Sequence, residues 1–208
     1  MLSTLQSEWR FRLGVGAAFG LWFGLIYGGT NFITHFRSDL PSLRIPLDDA
    51  IPLIPEFSIF YLSAMVFFCL PLLIMPKRNL LVLAYALSVQ VLIAGICYLM
   101  FPLQPNSYDP PANIVFQIAD FVNLTYNDCP SLHVALTASF AMGMWPFLRT
   151  VWKPVIAIWA LLIIASTLLT HQHHILDVAG GLVLAVFGLK VLLPMVDRRF
   201  AHFAMHAE

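Results

Sequence analysis

Charge is the scarcest thing in this sequence. Only 11% of its 208 residues are Asp, Glu, Lys or Arg, with eleven of each sign, while 60% are hydrophobic and the mean hydropathy is +0.82. A soluble globular domain carries roughly a quarter of its residues as charges, so that class is excluded and a membrane protein is expected. A net charge of zero leaves no long-range pull towards a polyanion, and no nucleic-acid partner is expected. Cysteine is nearly missing too. Cys69 and Cys97 sit in apolar runs as small fillers and Cys129 has no loop partner, so no disulfide framework exists. No internal repeat, low-complexity tract or soluble linker interrupts the chain, and a single membrane domain over 1–208 is the simplest division.

What the chain has instead is long apolar runs. A membrane-spanning helix needs roughly 20 mostly apolar residues, and six runs qualify: Leu13 to Thr34, Phe57 to Met75, Leu80 to Phe101, Leu132 to Leu148, Pro154 to Thr170 and Val178 to Val196. The expected fold is an all-α polytopic integral membrane bundle of six transmembrane helices. The first run is too long for a signal-peptide core and lacks a small-x-small cleavage site, so it reads as a retained span. It carries Gly16, Gly20, Gly24 and Gly28 at intervals of four, a close-packing face on a helix. Such a face fits a neighbouring span of the same chain, the preferred reading, or a second copy in a homodimer.

The few charges are unevenly placed. Arg10 and Arg12 precede the first run, Lys77 and Arg78 separate the second and third, Arg149 and Lys153 the fourth and fifth, and Arg198 and Arg199 follow the sixth. The alternate connections hold only Arg37 and Arg44, mixed with Asp39, Asp48 and Asp49. The positive-inside rule then puts both termini in the cytoplasm and the other rim towards periplasm, exterior or lumen.

That outer rim holds the polar residues. The connection from Arg44 to Glu56 has too much proline for a helix, and its acids Asp48, Asp49 and Glu56 are either solvated or in contact with a polar headgroup. Residues 112–124 set Ile114, Ile118, Phe121 and Val122 at helical spacing with Asn113, Gln117 and Asp120 opposite, the pattern of a helix lying along the interface. Two stretches carry chemistry: Cys129-Pro130-Ser131-Leu132-His133, opening the fourth run, and Ser166 to Asp177 (Ser-Thr-Leu-Leu-Thr-His-Gln-His-His-Ile-Leu-Asp), which leads into the sixth. Ionisable groups at the mouths of spans are costly and usually functional. On a helix His173 and Asp177 share a face at i, i+4, and His174 stands at i, i+3 to the same carboxylate, so spacing leaves the choice of histidine open. A carboxylate beside an imidazole fixes its tautomer and frees Nε2 as nucleophile or base. Two span starts meeting at one rim would aim main-chain amides at an anion, and Ser131, Ser166, Thr167 and Thr170 would add hydroxyls.

Pro130-Ser131-Leu132-His133 resembles the Pro-Ser-Gly/Leu-His motif of the type 2 phosphatidic acid phosphatase superfamily, and Ser166 to Asp177 resembles its Ser-Arg-x5-His-x3-Asp motif. The resemblance covers the chain from about Phe57 and implies a core of about 57–196, with the first span (13–34) as an accessory. It implies His173 as a nucleophile that becomes phosphohistidine, Asp177 as the group orienting it, His133 as general acid and Ser131 as a phosphate ligand. Ser166, Thr167, His174, Tyr108 and Asn106 complete the expected substrate-binding set. No metal and no cofactor are implied. Two departures stand out: Thr167 replaces the second motif's arginine, and no arginine is followed by proline, so the upstream Lys-x6-Arg-Pro motif is missing. Leu132 and the Gln172-His173-His174 string are closer to the inositol phosphorylceramide synthase branch.

The expected function is phosphoryl transfer on a membrane lipid phosphate or lipid phosphodiester. Water as acceptor makes a lipid phosphatase; a lipid or polyol hydroxyl makes a headgroup phosphotransferase. Three rival readings fit the residues less well. Helix-capping histidines fail to explain a matched aspartate, and a metal centre on His171, His173, His174 and Asp177 lacks the His-Glu-x-x-His pattern. A transporter needs polar residues along a path, whereas here they gather at one rim.

Overall fold

The computed structural model describes residues 2–104 and 111–205, and among them every regular element is helical. Helix α1 (Leu2–His35) runs beside α4 (Lys77–Met100). Between them lie α2 (Ser58–Phe67) and α3 (Leu70–Ile74), offset at Phe68 and Cys69. Pro71 explains the offset, because its ring meets the carbonyl of Phe67 and it offers no N–H to continue the ladder. After α5 (Ile114–Val122) come α6 (Leu132–Met144), α7 (Lys153–Leu169) and α8 (Ile175–Phe187). Helix α8 passes through a π-helical segment, Gly188–Leu192, into α9 (Leu193–Met205).

Five helices among the described residues are long and apolar enough to cross a membrane: Gln6–His35, Pro55–Ile74, Lys77–Met100, Thr150–Leu169 and Ile175–His202. The expected six are not all present by that measure. Helix α6 stops after 13 residues, about 20 Å, short of a hydrocarbon core of about 30 Å. Pro146 ends it in a 3₁₀ turn, Trp145–Phe147. Its length is small because it is the hub: α2, α3, α4, α7 and α8 all pack on it, and Val134, Ala135, Thr137, Ser139 and Met144 are almost wholly buried.

The two rims of the bundle differ. At one, Glu8 pairs with Lys77 (2.7 Å), Arg12 donates to the Leu72 and Met75 carbonyls that end α3, and Arg78 pairs with Asp197. At the other, Tyr98 near the end of α4 donates to the Pro130 carbonyl (2.8 Å), which places the start of α6 there. Helix α5 exposes Ile114, Ile118 and Phe121, turns Phe116 and Ala119 inward, and is capped by Asn113, whose Oδ1 accepts from the Val115 and Phe116 amides. That agrees with a helix lying at an apolar boundary, one end of its pattern serving the protein and the other the surroundings.

The glycine face of α1 corrects an expectation. A methyl added at Gly16 would touch Leu72, but at Gly20, Gly24 and Gly28 it would meet nothing within 4 Å. Among the described residues, only Gly16 on that face meets a neighbouring helix. The tight glycine is elsewhere: a Cβ at Gly181 in α8 would lie 2.6 Å from the Ser131 carbonyl oxygen and 2.9 Å from Val134 Cβ in α6. Contacts under 3.0 Å to main chain force the two helices apart. Gly181→Ala is therefore expected to lose about 1–3 kcal/mol by overpacking, read as a fall of several degrees in the melting midpoint of detergent-solubilised protein. Gly14→Ala, with open space around it, is expected to leave the midpoint unchanged.

Candidate active site

The two chemical stretches meet where α6 and α8 begin. Ser131 is the N-cap of α6, with Oγ 3.4 Å from the Val134 amide, and its own amide donates to the Asp177 carbonyl (3.0 Å). One main-chain bond thus ties the first stretch to the second. Gly180 and Gly181 let the helices approach that closely.

The second stretch is a turn between two helices rather than one helix. Helix α7 ends at Leu169 and α8 starts at Ile175. Between them His171 adopts a left-handed conformation, φ 54°, which non-glycine residues take sparingly, and donates from Nε2 to the Ile51 carbonyl (3.0 Å). The His173 amide donates to the Thr167 carbonyl (3.0 Å). His173 precedes the N-cap, His174, so the helical i, i+4 argument does not apply to it. Asp177 reaches it by folding back over the helix start: its Oδ2 accepts from the His174 amide (2.8 Å) and lies 3.7 Å from His173 Nδ1. His174 turns to a different carboxylate, with Nδ1 3.7 Å from Asp48 Oδ2. The ambiguity in spacing is resolved by the turn: His173 faces Asp177 and His174 faces Asp48.

His133 lies in the first turn of α6. Its ring stacks on Tyr61 (centroids 4.0 Å apart, planes at 21°), the Tyr61 main chain hydrogen-bonds it, and its Nε2 is buried without a partner. His173 Nδ1 and Asp177 Oδ1 are likewise buried without a hydrogen bond. Three unsatisfied polar atoms at one helix junction are expensive unless something completes them.

The remaining expected residues divide. Ser166 and Thr167 are buried beside the turn, but both hydroxyls donate to their own helix, at Ile163 and Ile164 (2.6 and 2.8 Å), and Thr170 donates to Ser166 (2.7 Å). Asn106 and Tyr108 lie outside the described residues. The expectation of free amides at the start of α8 is overturned, since Asp177 takes the His174 amide and Asp48 Oδ1 takes that of Ile175 (2.9 Å). A helix terminus already holding two carboxylates has little positive field left for a third anion. No three His, Cys, Asp or Glu side chains among the described residues gather closely enough to hold a metal ion.

Several participants were not singled out in the sequence for the roles they take. Asp48 comes from the proline-rich connection, where its Oδ2 also accepts from the Ile45 amide (2.8 Å). Arg44, paired with Asp49, bears on His174 by its charge. Burial holds the His174 imidazole below its ordinary 6.5, with Arg44 and His173 adding to that against Asp177 and Asp48. Asn123 and Asp120 of the α5 region hold Gln172, and Asn127 is held by Tyr27 and Thr30 of α1. Asp128 is buried, and burial followed by the charge of Asp177 raises its carboxyl well above 3.8. Burial likewise pushes the Cys129 thiol up to about 12. A tied-in acid among apolar residues and prolines was the one signal that marked Asp48.

Fold and site define a helical membrane protein with the His173–Asp177 pair and His133 at two helix starts joined by one main-chain bond. The family model described as PAP2 superfamily matches residues 79–201, more than half of the chain and including both stretches. The chain belongs to that superfamily, whose members are phosphatases and phosphotransferases acting on phosphate esters. No curated protein and no solved structure matches it.

Asp128 generates a pH prediction. A carboxyl that stays protonated when folded but ionises when unfolded makes stability fall as pH rises above 3.8 towards its raised folded value. Asp128→Asn cannot ionise, so its melting midpoint is expected to fall less than that of the wild type between acidic and neutral pH. Parallel pH profiles of the two proteins would show the carboxyl to be ionised in the fold.

Proposed function

We propose that this protein is a membrane-integral phosphoryl-transfer enzyme acting on a lipid phosphate, most simply a lipid phosphatase, through a phosphohistidine on His173. The supporting observation is the junction at which the Ser131–Asp177 main-chain bond brings His133 Nε2 and the His173–Asp177 pair to one rim. His173 Nε2 attacks phosphorus, forming a P–N bond as the P–O bond to the lipid breaks. His133 Nε2 delivers its proton to the leaving oxygen. Asp177 holds the Nδ1 proton of His173 and offsets the positive charge that grows on the ring. At 3.7 Å the pair is longer than a formed hydrogen bond, and catalytic bonds of this kind tighten in the transition-state complex. Water then attacks the phosphohistidine, its proton passes to His133, and phosphate leaves. Ser131, Ser166, Thr167 and His174 line the phosphate side in this reading, Arg44 lends positive charge beside His174, and the mechanism calls for no metal or cofactor.

A second reading, headgroup phosphotransfer to a lipid or polyol hydroxyl, as in inositol phosphorylceramide synthases, is favoured by Thr167 in place of an arginine. A less positive pocket suits a singly charged diester better than a doubly charged monoester. The charge bias between rims supports cytoplasmic termini with the site facing periplasm, exterior or lumen, and α6 then serves as a short sixth crossing enclosed by the others.

His173→Ala is expected to reduce activity to background in purified, properly inserted protein, and His133→Ala to slow it by about 10²–10⁴-fold while labelled phosphoenzyme accumulates. EDTA is expected to leave the rate unchanged. Full activity in His173→Ala would reject the nucleophile. Assays with labelled lipid phosphates and diesters, with and without alcohol acceptors, separate the two readings by product: free phosphate or a new diester.

A further inference from the structure

The turn that carries His173 is fastened by a segment from elsewhere in the chain. Two helix ends meet in this turn, and each leaves main-chain groups that its own helix cannot pair: carbonyls at the end of α7, amides at the start of α8. The connection between α1 and α2 pairs one of each. The Ile54 amide donates to the Leu169 carbonyl (2.7 Å), His171 Nε2 donates to the Ile51 carbonyl (3.0 Å), and the Ile175 amide donates to Asp48 Oδ1 (2.9 Å). The partners run in opposite directions, 48 with 175, 51 with 171 and 54 with 169, so one short strap crosses the turn from end to end. Prolines set its shape. A residue before proline is kept out of the helical region, and Ile51 before Pro52 and Ile54 before Pro55 are both extended, with ψ 122° and 90°. Their outward-facing main-chain groups then find partners in the turn rather than in a helix of their own. Asp48 is itself held: it is buried, its Oδ2 accepts from the Ile45 amide (2.8 Å) and its own amide donates to the Ile45 carbonyl (2.9 Å). All of the strap precedes residue 79, where the family match begins.

We propose that Asp48 is a positioning residue for the reaction: by holding the first amide of α8 it fixes the turn so that His173, and not His174, stands against Asp177. The inference rests on the proposed function, since it concerns the histidine that attacks there. Two neighbouring histidines precede α8, and a small slip of the turn is enough to exchange them in front of one carboxylate. Two carboxylates on consecutive amides prevent the slip. Asp177 takes the His174 amide and faces the His173 ring, while Asp48 takes the Ile175 amide and faces the His174 ring, each at 3.7 Å. Without Asp48, the Ile175 amide loses its acceptor, the His174 ring loses its own acid, and the turn keeps only the two bonds at Ile51 and Ile54 to hold it. In this reading Asp48 touches neither phosphorus nor the leaving oxygen, and its effect reaches them through the placement of His173. Misplacing a reacting group by about 1 Å costs up to about 10²-fold in rate.

The test reads amide hydrogen exchange across residues 169–178 and the kinetics on a dioleoyl lipid phosphate in mixed micelles, below the melting midpoint of each protein. Wild type is compared with Asp48→Ala, Asp48→Asn, His171→Asn and Asp39→Asn. Asp48→Ala is expected to speed exchange in the turn and to lower kcat at least about tenfold while KM moves by less than about threefold. Asp48→Asn keeps an oxygen for the Ile175 amide and is expected to recover kcat to within about threefold of wild type. His171→Asn suits the left-handed conformation at φ 54° but gives up the bond to Ile51, so it opens the strap at its middle whether or not Asp48→Ala folds. It is expected to change exchange and kcat in the same direction. Asp39→Asn neutralises an exposed acid of the same connection and should match wild type in both measurements. Wild-type kcat in Asp48→Ala or in His171→Asn, a loss expressed in KM instead of kcat, or equal losses in Asp48→Ala and Asp48→Asn would overturn the positioning role and leave the phosphatase reading standing. A wild type that exchanges slowly in the turn yet turns over no lipid phosphate would overturn the phosphatase reading, and a part for Asp48 in turnover with it.

Discussion

The amide of Ser131 and the carbonyl of Asp177 share one bond of 3.0 Å, and the meeting of the two histidine-bearing stretches hangs on it. Two helix starts, 46 positions apart in the chain, cross there at main-chain contact because α8 has Gly180 and Gly181 where α6 passes. Close approach leaves little freedom: His133 in the first turn of α6 and His173 just before α8 are held near the same helix junction. A larger residue on either side would separate the imidazoles and leave two ordinary capped helices. The rest of the bundle supports this crossing, with α6 short, small-residued and enclosed by its neighbours.

Electrostatics at the junction run against a simple anion cradle. Asp177 and Asp48 occupy the first amides of α8, and Asp128 lies buried close by. Such a junction is rich in carboxylate and poor in arginine, with Arg44 bearing on it through His174. Asp177 both caps α8 and faces His173. The helix cap fixes the carboxylate beside that ring.

Helix α1 fastens the approach to the first stretch. Tyr27 and Thr30 hold Asn127, and Asn31 accepts from the Tyr126 amide, so the loop leading into Ser131 is fastened to α1. The same helix lines, with Gly24 and Gly28, a small cavity that His133 also borders.

The amino-acid sequence by itself determined that the protein is helical and membrane-embedded, because apolar runs of spanning length leave no other solution for the backbone in hydrocarbon. It also determined the site's vocabulary, since His133, Ser131, His173 and Asp177 stand in short local patterns, and the cap at Ser131 follows from Pro130-Ser131 at a helix start. Tertiary structure decided what local patterns do not contain. Spacing left His173 and His174 equivalent, and only the turn through His171 assigns them to different carboxylates. Asp48 is more than 120 positions from its partner amide, so no periodicity reveals it. A stripe of glycines reads identically whether a helix, a second copy or empty space lies beside it, because the stripe records only the absence of side chains. What stands opposite is fixed by packing, and packing is a property of the folded bundle.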